Sequence, residues 1–174
     1  LQGIMSACAD AYFADLPEKI IKRFTFRDWL KRDNIQEQQE KFALRAEHET
    51  QLLRLADHVT GRTAFDQKAA LRVHPSIQYH FMNETMRSNF YDGETWKEES
   101  CKPHQIFVSQ GNYPLKGLHK VIEALPLIRE MYPDVTVHVA GDVITAHHTW
   151  KEKIKLSSYG KYLLELMKKY QCTG

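Results

Sequence analysis

Apolar and polar positions change their spacing several times along the chain, and each change predicts an element. Residues 1–5 read as the tail of a strand punctuated by Gly3. Ser6 reads as the cap of a short helix through Phe13, because a serine oxygen satisfies the free N–H groups of a first turn. Pro17 suits a helix start, and residues 18–32 divide into two short helical pieces. Asn34 caps the longest predicted helix, roughly 35–56, with Ile35, Phe42, Ala46, Leu53 and Ala56 as its apolar stripe. Glu49 falls on that stripe. It either snorkels to water from the edge or is buried against a cation such as Arg62.

The spacing then shortens. His58-Val59-Thr60 is a β-prone run stopped by Gly61, and Ala64–Val73 is helical again, with Asp66 in its first turn and Pro75 beyond its end. Residues 77–81 form a second short strand, and 83–100, without periodicity and with the turn signal Asp92-Gly93, read as a connector. From His104 the pattern is regular. Residues 105–109 are an apolar run of the kind a strand buried on both faces requires. A loop at 110–115, a helix at 116–131, a break at Tyr132-Pro133-Asp134, a strand at 135–140 and a helix at 158–170 follow. Strand, helix and strand at these lengths make a βαβ unit. The expected fold class is α/β, built from parallel-sheet, Rossmann-like halves.

Composition narrows the field. The 174 residues are 43% hydrophobic and 26% charged, which excludes a disordered, collagen-like or coiled-coil chain. The net charge of +2 creates no global field for nucleic acid. Cys8, Cys101 and Cys172 are odd in number and scattered, so they draw neither a disulfide framework nor a metal knuckle, and a reducing compartment fits. The opening uncharged stretch, Leu1–Ala9, is far shorter than the ~20 residues of a membrane span, and no basic signal-peptide start precedes it. The first residue is Leu1 and the last follow a helical pattern, so both ends are expected to be cut from something larger. Neither His74 and His80 nor His147-His148 has the i, i+4 spacing of a helical metal pair. Ser109 lacks a nucleophile elbow and Cys101 a partner.

The loop Ser109-Gln110-Gly111-Asn112-Tyr113-Pro114-Leu115-Lys116-Gly117 carries the candidate chemistry. It leaves the carboxyl end of a predicted strand and enters a helix, where open α/β sheets bind ligands. Glycines allow backbone N–H groups close to an anion, the helix start adds about half a positive charge, and Lys116 adds a full one. A diphosphate is the natural guest. Neither the P-loop order nor the dinucleotide fingerprint is present, and a solvated turn whose lysine merely opens a helix fits the same spacing.

The run 106–119, then Ile122-Glu123-Ala124-Leu125, then Val137-His138-Val139-Ala140-Gly141, resembles retaining glycosyltransferases of the two-Rossmann (GT-B) architecture, in the glycogen-synthase-like family 4. Residues 59–66 and 83–91 look like the end of the acceptor domain and the interdomain crossing. The resemblance implies a central slice of such an enzyme: 1–82 from the acceptor domain, 83–104 a connector, and 105–174 the first half of the nucleotide-sugar donor domain. It implies Lys116 as the catalytic contact to the donor diphosphate, with Gly111, Gly117 and Gly141 shaping the pocket. Gln110 stands where relatives often carry arginine, so it offers a hydrogen bond without charge. Arg62 and Asn83 are expected along the cleft between the domains. The partners implied are a nucleotide-sugar donor and a saccharide or lipid-linked acceptor, in polysaccharide or glycolipid synthesis. No metal and no cofactor beyond the donor substrate are expected. The family's N-terminal glycine-rich loop and downstream paired glutamates are missing, so a slice inactive alone is expected. A non-catalytic α/β module binding a nucleotide or phosphate is the alternative.

Residues 19–32 hold six basic residues against one acidic, interleaved with Phe24, Phe26 and Trp29. An anionic membrane surface is one candidate partner; a surface helix with its aromatics packed inward is the plainer reading, and nucleic acid is not expected. The expected location is cytoplasmic, with peripheral attachment at the inner face of the membrane if this stretch meets lipid.

Overall fold

A computed structural model describes residue 1, residues 3–141 and residues 154–172. The predicted His147-His148 pair lies outside the described residues. The chain is mixed α/β, with each described strand in a parallel pair. It divides into two compact units, 1–10 with 41–101 and 11–40 with 102–174.

The first unit contains α1 (Met5–Asp10). The long helix α4 (Ile35–Leu55) belongs to it from Lys41 onward. Leu1 is not part of a strand; its ammonium group donates to the Thr60 carbonyl. Ser6 lies inside α1 rather than capping it, and the Met5 N–H instead donates to the Glu49 carboxylate at 2.9 Å. A carboxylate from a distant helix has taken the capping role. Glu49 is thus half-buried and matches neither expectation in full: it is not free in water at the edge, and its partner is a backbone N–H and not Arg62, which pairs with Glu84. Burial raises its carboxyl above the usual range, against the pull of that hydrogen bond.

β1 (His58–Gly61) and β2 (Gln78–Phe81) pair in parallel from His58↔Gln78 to Gly61↔Phe81, joined through α5 (Ala64–Val73). Thr63 caps α5 by accepting from the Asp66 N–H at 3.0 Å. Leu53, Ala70 and Ile77 form the core, with Ala56, Val59, Val73 and Tyr79 packed against it. His74 bridges the Leu53 carbonyl at 3.1 Å and the Ser76 hydroxyl at 2.9 Å, a structural role. Residues 83–101 are exposed and hold only α6 (Asn89–Asp92) and a 3₁₀ turn.

The second unit contains α2 (Glu18–Ile21), α3 (Phe26–Lys31) and the start of α4. It also holds β3 (Gln105–Val108), α7 (Leu118–Met131), β4 (Thr136–Val139) and α8 (Ser158–Lys169). Asn34 and Glu37 open α4 with a reciprocal capping box, both bonds at 2.9 Å. The core joins Tyr12, Leu16, Ile20 and Ile35 with Leu118, Ile122 and Leu125 of α7 and Tyr159, Tyr162, Leu163 and Leu166 of α8. Residues 11–40 therefore group with 102–174, whereas the sequence partition placed them with the first 82. Long-range polar bonds tie them there: Arg23 reaches the Glu165 carboxylate with both terminal nitrogens, at 3.0 and 2.9 Å. β3 is not buried on both faces. Phe107 is 71% exposed, because the two-stranded sheet has only one covered side.

Candidate functional site

The candidate loop sits where the parallel pair ends. β3 and β4 run in register to Val108↔Val139, so the chain leaves both strands on the same edge. Gln110, half-buried, lies two residues past Val108, and Gly141 two residues past its partner. Gly141 is exposed at a φ of 104°, a conformation that favours glycine.

Gly111 does something other than open the loop. It is buried, and a Cβ there would meet Leu118 Cδ2 at 2.5 Å and Val139 Cγ1 at 3.0 Å. Its missing side chain lets the loop press onto α7 and β4. Tyr113 follows, stacked on the buried Tyr12 with ring centroids 6.3 Å apart and planes 6° apart. Pro114–Lys116 make a 3₁₀ turn, and Gly117, at φ 72°, ends that turn and opens α7. Lys116 therefore closes the preceding turn instead of starting the α-helix as its pattern predicts. A Cβ on Gly117 would meet nothing within 4 Å, and as N-cap it offers no side chain to α7. In the first turn the His119 N–H donates to the Tyr159 hydroxyl at 3.4 Å, and the helix start keeps its partial positive charge.

Lys116 is exposed, with its Nζ 5.7 Å from the Tyr113 ring centroid and no carboxylate paired to it among the described residues. The ring holds the ammonium beside the loop, a cation–π contact worth about 0.5–1 kcal/mol at exposed sites. The loop also contains a buried acceptor with no hydrogen-bond partner among the described residues, Asn112 Oδ1. Gln110, Gly111, Lys116, Gly117 and Gly141 thus share one edge of the second unit. Arg62 and Asn83 belong to the first unit, where Arg62 pairs with Glu84 at 2.9 Å and Asn83 is exposed.

Behind the loop lies a residue that pattern reading left without a role. His119 is 1% exposed, and its Nε2 donates to the Ala14 carbonyl at 2.9 Å while Nδ1 accepts from the Tyr159 hydroxyl at 3.1 Å. That pairing requires the neutral imidazole. Burial pushes the ring below its usual value and pushes the Tyr159 phenol up. Tyr162, bonded to Glu123 at 3.1 Å, is pushed up to about 12, chiefly by burial. The available signal was the spacing of His119 from Ile122 and Leu125 on one apolar face.

Among the described residues no group of three or more His, Cys, Asp or Glu side chains could hold a metal ion, although His58 and His80 meet at 3.0 Å. No described helix is long and apolar enough to cross a membrane. No family model, curated protein or solved structure matches the chain. The fold and loop define the class as a mixed α/β protein whose parallel strand pair ends on a lysine–glycine loop at a helix start.

Proposed function

We propose that the second unit receives the diphosphate of a nucleotide sugar on the 110–117 loop, and that the chain is part of a retaining GT-B glycosyltransferase of family 4. The observation that carries this reading is the exposed Lys116, paired to no carboxylate among the described residues, beside Gly117 at the start of α7 and the carboxyl end of a parallel strand. The resemblance of 106–141 to the donor domain of those enzymes supplies the substrate class.

The chemistry follows from charge. As the bond between sugar and diphosphate breaks, negative charge grows on the leaving phosphate. The Lys116 ammonium and the α7 dipole stabilise that charge more than they stabilise the intact donor, which lowers the barrier. Gln110 adds a neutral hydrogen bond. His119 and Tyr113 are positioning residues: one holds the first turn of α7 on Tyr159, the other braces the loop on Tyr12.

Calorimetric titration of the chain with UDP and GDP tests the assignment. Lys116→Ala should weaken binding about tenfold or more, the scale of one charge-assisted contact, and Gln110→Arg should tighten it. Equal affinity in wild type and Lys116→Ala overturns the proposal. Nucleotide binding without sugar transfer, in a protein that also carries the paired glutamates, would favour the non-catalytic module instead.

A further inference from the structure

Helix α3 is amphipathic in the reverse of the ordinary sense. Its polar member points inward: Asp28 is fully buried, and its Oδ2 accepts from the Ser158 N–H of α8 at 2.9 Å. Thr25 closes the turn by accepting from the Asp28 N–H at 3.2 Å and donating to the Leu156 carbonyl at 2.9 Å. With Asp28 inward, the i, i+3, i+4 set Phe26, Trp29 and Leu30 is carried on the outer side. These residues are 61, 62 and 68% exposed, and the neighbouring Phe24 is 54% exposed. Phe26 and Trp29 lie against each other, ring centroids 5.9 Å apart. The inward-packed reading of these aromatics is therefore overturned.

Within residues 19–32 the exposed charges have one sign, with Glu18, Asp33 and Glu165 bordering them. Lys19 and Lys31 are exposed at its flanks, while Arg23 and Arg27 are engaged by Glu165 and by Asp28 and Asp33. The only carboxylate between 19 and 32 is the buried Asp28. An apolar centre containing tryptophan, with exposed Lys19 and Lys31 and no exposed acid within residues 19–32, complements an anionic lipid surface: rings enter the headgroup region and ammonium groups meet phosphates. We propose that the outer face of α3, Phe24, Phe26, Trp29 and Leu30 with Lys19 and Lys31, docks the protein on an anionic bilayer. The inference uses α3 and its flanks only and is independent of the phosphate loop.

Flotation with vesicles of phosphatidylcholine, and of phosphatidylcholine mixed equally with phosphatidylglycerol, tests it. Wild type should float with the anionic vesicles and be released by high salt. Lys19→Gln with Lys31→Gln should lower the partition coefficient about 25-fold, a factor of ~5 for each basic residue lost at the surface. Trp29→Ser with Leu30→Ser should abolish flotation, whereas Leu127→Ser, at another exposed apolar position (69%), should leave it intact. With Trp96 and Trp150 replaced by Phe, the emission of Trp29 should shift to the blue on anionic vesicles only. All the substituted side chains in α3 are exposed, and unchanged thermal unfolding confirms the fold. Equal flotation of wild type and both double variants overturns the proposal, as does equal binding to neutral vesicles. A change in self-association or RNA binding on Trp29→Ser with Leu30→Ser, without a change in flotation, overturns it in favour of that partner.

Discussion

Replacing Asp28 with alanine removes a buried carboxylate on which two helices converge. One oxygen accepts from the Ser158 N–H in the first turn of α8, and the other meets Arg27 at 3.2 Å. A hydrogen bond from a backbone N–H to a buried charge contributes about 1.5–3 kcal/mol. A negative charge at a partly buried helix N-terminus adds about 1 kcal/mol. The Arg27 pair is left out of the sum, since Arg27 also reaches Asp33 at 3.7 Å and keeps that partner when Asp28 is lost. Asp28→Ala should therefore cost about 3 kcal/mol, and Asp28→Asn, which keeps an acceptor for Ser158, about 1 kcal/mol. Hydrogen exchange suits a chain of two compact units, because it reads each one locally. Amides of residues 158–169 should lose protection on the order of 100-fold in Asp28→Ala, with Lys41–Leu55 unchanged. Equal protection in wild type and Asp28→Ala would refute the claim that this carboxylate anchors α3 to α8. So would an Asn variant as unstable as the Ala variant, because the hydrogen bond would then carry none of the effect.

The remaining predictions concern the ground behind the loop. His119 is held neutral, and its folded value lies below the ordinary 6.5; the unfolded chain thus binds the extra proton first as pH falls. Its contribution should be whole above pH 6.5 and fall as pH drops through 6.5 toward the folded value, with a slope of up to about 1.4 kcal/mol per pH unit. Urea unfolding across that range should show this slope in wild type and a flatter one in His119→Gln. Gly111→Ala should destabilise by about 1–3 kcal/mol through overlap with Leu118 and Val139, and a Leu118→Ala background should relieve part of that loss. Additive costs in the double variant, measured by thermal unfolding, would count against the contact.

Much of the local structure was legible because it depends on neighbours in the chain. Asn34 sits three residues before Glu37, and the reciprocal cap follows from that spacing. Thr63 and Ser157 cap α5 and α8 in the same short-range way. The strand–helix–strand order at 105–139 led directly to a parallel pair, since a connection containing a helix returns the second strand in the same direction. The loop after β3 was legible, but its end was not: the pattern starts the helix at Lys116, whereas Lys116 closes a 3₁₀ turn and α7 begins at Leu118, and which glycine faces packing was not legible either.

What only the tertiary structure decided were the contacts made across long separations. Nothing near Met5 foretells Glu49, 44 residues away, as the group that satisfies its N–H. Alternation around residue 28 does not say which side of a six-residue helix faces inward; the α8 N–H that Asp28 satisfies, 130 residues along, makes that choice and turns the aromatics out. Short-range geometry sets caps, turns and strand direction, because few backbone angles separate the groups involved. The partner of a buried polar group depends on how distant segments fold together, and only then is it settled which residues are covered and which face the solvent.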